Sequence, residues 1–80
     1  MINIKSNVEY YGFFDGASRG NPGKSGAGYA LLNISNQKIF TNSINLGTKT
    51  NNQAEFFSLV YLLLDCKQNR VTNLKVFGDS

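Results

Sequence analysis

The stretch from Phe13 to Gly23 constrains the fold of this chain more than any other. An aromatic run, Tyr10 to Phe14, ends in the carboxylate Asp15, and a glycine-rich segment with the only proline follows. Aromatic residues favour a β-strand, whereas glycine, asparagine and proline favour turns. We therefore expect a central strand from Val8 to Asp15, with Asp15 at its carboxyl end. Ligands of open α/β sheets bind at that edge, although an aspartate that only caps a turn is the alternative.

The composition is that of one small globular domain. The chain has 80 residues, of which 41% are hydrophobic and 16% charged, which argues against disorder and against a coiled coil. Histidine is absent and Cys66 is the only cysteine, so a His-based general base, a His metal ligand and an internal disulfide are excluded. The longest apolar run, Leu59 to Leu64, is too short to span a bilayer, and residues 1–8 lack a signal peptide's apolar core. We expect a cytoplasmic protein without membrane contact.

The pattern after the first strand predicts two more strands and a helix. Tyr29 to Ile34 and Ile39 to Leu46 are separated by a short turn, which favours an antiparallel hairpin. The glycine-rich link before them allows the first strand to pair antiparallel with the second. Thr50 and Gln53 then fit a capping box that opens a helix from about Asn51 to Lys67.

The two ends of the chain complete the predicted sheet. Met1 to Asn7 is a frayed start or the beginning of the first strand, and its alternating isoleucines suggest pairing at an edge. Leu74 to Asp79 is the fourth strand, parallel to the first and beside it, because a strand–helix–strand crossover is right-handed. The helix carries two apolar stripes and therefore expects cover on more than its sheet-facing side. Those stripes are Phe56, Val60 and Leu63, and Phe57, Tyr61 and Leu64.

Three of the five acidic residues should meet at one edge of this sheet. Asp15 and Asp79 end parallel strands, and Glu55 lies near the start of the helix. Carboxylates about 5 Å apart repel by about 3 kcal/mol per pair at an effective dielectric constant of about 20, so a proton or a cation must compensate. Oxygen ligands without His or Cys select Mg²⁺, Mn²⁺ or Ca²⁺. The formal charge of +3 fits a polyanionic partner as well as it fits an ordinary solvated surface.

At this point the sequence resembles type 1 ribonuclease H. Asp15-Gly16-Ala17-Ser18 followed by Gly20-Asn21-Pro22-Gly23 is similar to the first motif of that family. Thr50-Asn51-Asn52-Gln53-Ala54-Glu55 is similar to the second, and Gly78-Asp79-Ser80 to the third. Each motif alone is weak, but the order and spacing of all three agree from about Glu9 to Ser80.

The resemblance implies an α/β fold, a ribonuclease H-like mixed sheet of five strands with helices on both sides. It implies Mg²⁺, with Mn²⁺ as a substitute, at the catalytic residues Asp15, Glu55 and Asp79. It further implies that the RNA–DNA hybrid, distinguished by its 2′-hydroxyl groups, is contacted by Gly16, Ala17, Ser18, Asn21, Asn51 and Gln53. For the three amide side chains, turn and capping chemistry is the alternative.

One departure from the family is large, because the chain stops directly after the third motif. The family continues with more helices, a fifth strand and a fourth acidic ligand. We therefore expect residues 1–80 to form the N-terminal half of a truncated domain, with three antiparallel strands, one helix and a fourth strand parallel to the first. The open edge of that fourth strand would recruit the missing half or other copies, and the chain alone would be inactive.

The resulting hypothesis is a metal-dependent endonuclease that hydrolyses the RNA strand of RNA–DNA hybrids. One alternative is a non-catalytic remnant of the same fold that binds nucleic acid or a partner. Another keeps the fold but changes the substrate, as in transposase- and integrase-like nucleases, and the motifs around Asn21 and Asn51 argue against it.

Overall fold

The computed structural model describes residues 2–3 and 9–78, which form one mixed β-sheet with a helix on one face. The elements are β1 (Ile2–Asn3), β2 (Tyr10–Gly20), β3 (Gly23–Asn33), β4 (Ile39–Lys49), α1 (Asn51–Gln68) and β5 (Leu74–Gly78). The strand order is β1-β5-β2-β3-β4. β2 lies at the centre, parallel to β5 and antiparallel to β3, and β3 pairs antiparallel with β4. The predicted topology is therefore confirmed.

The hairpin of β2 and β3 is longer than the sequence predicted. Its register runs without interruption from Tyr10 opposite Asn33 to Gly20 opposite Gly23, so the connecting turn has only two residues. Asp15 consequently lies in the middle of β2, and its predicted place at the strand's end is wrong. Pairing with β5 is nevertheless described only as far as Phe14 and Gly78, the residues that directly precede Asp15 and Asp79.

The outer edge of β5 is partly occupied. Ile2 pairs with Val76 and Asn3 pairs with Lys75 in an antiparallel bridge. The expectation of a fully open edge on the fourth predicted strand is therefore wrong, and the chain's start forms a separate strand rather than the beginning of the central one. Val8, the predicted start of that central strand, lies outside the described residues, as does Ile4 of the alternating pattern.

The start of α1 packs on the sheet through small residues. Its buried positions follow an i, i+4 stripe of Ala54, Ser58, Leu62 and Cys66. This stripe covers a core of Tyr29, Leu31, Leu74 and Val76. The two predicted stripes instead face sideways or outward, and Phe56 is 63% exposed. Ala54 and Ser58 lie where α1 approaches β2 closely, whereas Leu62 fills the core further along the helix.

The sheet face away from α1, here called the open face, is apolar along β2 and β5. The rings of Phe13 and Phe77 stack with centroids 5.3 Å apart, and Tyr11 meets Phe77 edge-on at 5.7 Å. Phe13 remains 42% exposed. The sequence predicted exposed apolar residues on the helix, but not on this face. In the described part of the chain, no helix has the length and apolar character required to cross a membrane.

Candidate active site

Gly16 sets how closely the start of α1 approaches the central strand. A methyl group built on its Cα would overlap the carbonyl of Ala54 and would lie 2.6 Å from the amide nitrogen of Glu55. Only glycine fits this contact, because the obstructing atoms are backbone and cannot rotate away. The motif glycine therefore brings Glu55 next to the strand position that follows Asp15.

Of the three predicted metal ligands, Glu55 lies at this contact, and Asp15 directly precedes Gly16 in β2. Asp15 is exposed on the open face, since its neighbours Phe14 and Gly16 point toward α1. Glu55 is half-buried in the second turn of α1. Asp79, the third, lies outside the described residues. Among residues 9–78, no group of three or more acidic or cysteine side chains is placed to hold a metal ion.

Asn21 and Asn51 join the tip of the β2–β3 hairpin to the start of α1. The Oδ1 atom of Asn51 accepts from the amide of Ser18 at 2.8 Å, and Oδ1 of Asn21 accepts from the amide of Asn51 at 3.2 Å. The Ser18 hydroxyl also donates to the carbonyl of Lys49 at 2.9 Å. Three of the residues predicted to contact nucleic acid thus hold the hairpin against the helix.

Gln53 completes the predicted capping box. The amide of Gln53 donates to Oγ1 of Thr50 at 3.1 Å, and the amide of Thr50 donates to Oε1 of Gln53 at 2.9 Å. The capping alternative is therefore realised for Gln53, and Asn21 accepts from the first amide of α1 from its place in the hairpin turn. The hydrogen bond of Asn51 to Ser18 is instead a tertiary contact between α1 and β2. In residues 9–78, however, the recorded hydrogen bonds use only the oxygens of these three amide side chains, which leaves the exposed NH₂ groups as donors.

A groove of about 690 Å³ extends from Ala17 and Ser18 across the hairpin. Arg19 and Lys24 form a cross-strand pair on its wall, and both are exposed. Arg19 lies on the same face of β2 as Asp15, about 13 Å away at 3.3 Å per residue. Sequence reasoning did not select these two cations, although their equal spacing from the Gly20–Gly23 turn was a usable signal.

The far end of α1 has a separate polar cluster. Tyr29 donates its hydroxyl to Oδ2 of Asp65 at 2.7 Å and accepts from Nδ2 of Asn42 at 3.2 Å. Burial, followed by the hydrogen bond to Asp65, raises the pKa of Tyr29. Burial and then the Asp65 charge raise the pKa of Cys66 to about 11. The thiol therefore stays protonated at neutral pH and serves the core, as expected for a buried cysteine.

The family model of RNase H matches residues 7–80. The chain belongs to the RNase H family. It is 34% identical over 70 residues to ribonuclease HI of Halobacterium salinarum. The aligned region covers 88% of this chain and 35% of that protein. The resemblance to type 1 ribonuclease H is thereby confirmed.

Solved RNase H structures agree with the sheet and helix described above. The crystal structure of RNase H1 from H. salinarum superposes with a TM-score of 0.82 at 35% identity, covering 89% of this chain and 54% of that one. A second solved relative is LC11-RNase H1, isolated from compost by a metagenomic approach. Its complex with an RNA/DNA hybrid superposes with a TM-score of 0.79 at 28% identity, covering 89% of this chain and 54% of that one. The chain thus spans about a third of the curated relative's length and about half of these structures.

Proposed function

We propose that this RNase H chain is the N-terminal part of an endonuclease that hydrolyses the RNA strand of RNA–DNA hybrids with a divalent metal ion. The contact of Gly16 with the backbone of Ala54 and Glu55 carries the proposal. It brings the backbone of Glu55 against Gly16, the residue after Asp15, where the described β2–β5 pairing ends. Carboxylates on two neighbouring elements would suit metal-assisted phosphoryl transfer.

The donor chemistry fits Mg²⁺ or Mn²⁺. Asp15 and Glu55 offer only carboxylate oxygens, which hard divalent ions prefer. Asp79 would be the third ligand, since it follows Gly78, the partner of Phe14 in the β2–β5 register. When bound, the metal would supply Lewis acidity for phosphodiester hydrolysis. Asp15 and Glu55 would hold it near the start of α1.

The hybrid would lie along the groove at the hairpin. Arg19 and Lys24 would contact phosphates about 13 Å from Asp15. The free NH₂ groups of Asn21, Asn51 and Gln53 would donate to phosphates, to bases or to the 2′-hydroxyl groups that distinguish RNA. The LC11-RNase H1 structure, a complex with an RNA/DNA hybrid, supports this choice of ligand.

The alternative is a non-catalytic remnant that binds nucleic acid or a partner. It is favoured by one observation, namely the exposed apolar open face around Phe13, which a binding partner could cover. Activity and binding assays on the same sample separate the two functions.

We expect cleavage when this chain is mixed with the remaining part of a related RNase H. The added part would cover the open face and supply the rest of the metal site. A labelled RNA–DNA hybrid should then be cut in Mg²⁺ but not in EDTA, and a DNA duplex should stay intact. Each part alone is the control and should be inactive. Hybrid retention without cleavage, in a mixture that melts cooperatively as one complex, would favour the remnant instead.

We also expect weak Mn²⁺ binding by the chain alone. With two or three carboxylates and no further ligand, the dissociation constant for Mn²⁺ should be about 1 mM. Titration with Mn²⁺ in an NMR experiment should broaden the amide signals of Asp15, Gly16 and Glu55 first. Signals near Asp65, at the far end of α1, are the internal control. Broadening that begins at Asp65, or none near Gly16, would contradict the site.

A further inference from the structure

We propose that β4 is a self-pairing edge through which two copies of this chain associate into one continuous sheet. β4 is the last strand in the sheet order, and no described strand pairs with its outer side. It has 11 residues, which makes it as long as the central strand. This inference is independent of the proposed nuclease function.

The sequence of β4 lacks the devices that normally protect an edge. Natural edge strands carry charges, prolines or bulges that prevent pairing with another chain. From Ile39 to Thr48 there is no charged residue and no proline. The one irregularity is a bulge where Ser25 faces Gly47 and Gly26 faces Asn45, with Gly47 at φ +73°. The flat, uncharged part of the edge is therefore Ile39 to Asn45.

These seven residues are self-complementary in the antiparallel direction that a twofold axis requires. Centred on Asn42, the pairing sets Phe40 opposite Ile44 of the second copy, twice. Both lie on the α1 side of the sheet, because β4 pairs them with Leu31 and Ala27, which are buried there. An aromatic residue opposite a β-branched one is a favourable cross-strand pair.

The same register explains why the pairing would be closed and limited. Seven residues give about six to eight backbone hydrogen bonds, and the bulge stops the strands from pairing further. Phe40, 58% exposed in one copy, would be covered by the second. Lys38 and Lys49 flank the paired segment and stay outside it. A second copy fits this edge better than an arbitrary strand, since only a copy places Phe40 against Ile44 at both ends.

Sedimentation velocity between about 10 µM and about 1 mM tests the proposal by mass action. We expect a monomer–dimer equilibrium, weakened at least about tenfold by Thr41→Lys, which puts an exposed charge on the paired segment. Thr48→Lys adds the same charge beyond the bulge and should leave the dissociation constant unchanged. Phe40→Ser should weaken the dimer similarly, whereas Phe56→Ser, at an equally exposed position on α1, should not.

Hydrogen exchange of the unmodified chain gives a readout that needs no variant. Amides of alternate residues in Ile39 to Asn45 should gain protection as concentration rises, because only every second residue directs its backbone outward. A chain that stays monomeric to about 1 mM overturns the proposal. So does association that survives Thr41→Lys and is lost in Phe56→Ser, since the helix would then be the contact.

Discussion

Asp15→Asn is expected to lower hybrid cleavage by at least about 100-fold in the domain completed with the remaining part of a related enzyme. Removing a group that only orients a metal ligand costs about 10- to 100-fold, so removing a ligand's charge should cost at least that much. Hybrid binding should be kept or become tighter, because the change relieves carboxylate repulsion next to a polyanion. Cleavage rates and hybrid affinity, measured on the same preparation, check both statements.

Asp65→Asn is the matched control for this change. It makes the same substitution about 15 Å further along α1 than Glu55, at 1.5 Å per residue. Asp65 accepts a hydrogen bond from the hydroxyl of Tyr29. Asp65→Asn should therefore lower the free energy of unfolding and leave the cleavage rate of the folded protein unchanged. If Asp15→Asn retained Mg²⁺-dependent cleavage, or if Asp65→Asn lost as much activity, the assignment of Asp15 would be wrong.

The strand order followed from the sequence because it depends on few physical rules. A crossover through one helix is right-handed, and the simplest place for β5 was then beside β2 and parallel to it. The capping box of Thr50 and Gln53 gave the start of α1 because its hydrogen bonds are local. The same reasoning predicts that Asp15 and Glu55 meet, and this stays a prediction. The separation of their carboxylates was not predictable, since it depends on how closely the helix approaches the sheet.

The predicted ends of β2 and β3 were wrong at glycines that allow close packing and do not form turns. Gly16 was assigned to a loop because glycine is depleted in strands, and Gly26 and Gly28 were left outside the predicted second strand, yet all three lie within β2 and β3. Gly16 is in a strand because the helix backbone leaves no room for a side chain. A pattern of residue types does not distinguish such a glycine from one that turns the chain.

The buried side of α1 was missed for a related reason. Hydrophobicity favoured the stripes with phenylalanine, tyrosine and leucine, whereas the sheet side carries Ala54 and Ser58. The Ser58 hydroxyl is buried but not left unpaired, because it donates to the carbonyl of Ala54 at 2.8 Å. Close approach at the start of α1 favours small residues, whereas Leu62 and Cys66 fill the core further along. The remaining large apolar residues of α1 are exposed or half-buried.

Gly16→Ala is expected to be strongly destabilising for so small a change. The added methyl group meets the backbone at Ala54 and Glu55, so α1 must move away from β2 as a unit. Overpacking of this kind costs about 1–3 kcal/mol, and the rigid backbone places this case at about 3 kcal/mol. For a chain of this size the melting temperature should fall by more than about 10 °C. Denaturant and thermal unfolding measure both quantities.

Gly26→Ala separates crowding from the general effect of replacing a strand glycine. Its methyl group would lie 3.6 Å from the nearest atom, the carbonyl oxygen of Ile44, which is an ordinary contact. Stability should therefore change by less than about 0.5 kcal/mol. Because Gly16→Ala would move Glu55 away from β2, the proposed metal site predicts weaker Mn²⁺ binding under conditions where the variant is still folded, and Gly26→Ala should leave that binding unchanged. Equal stabilities for the two variants, with equal Mn²⁺ affinity, would contradict the role proposed for Gly16.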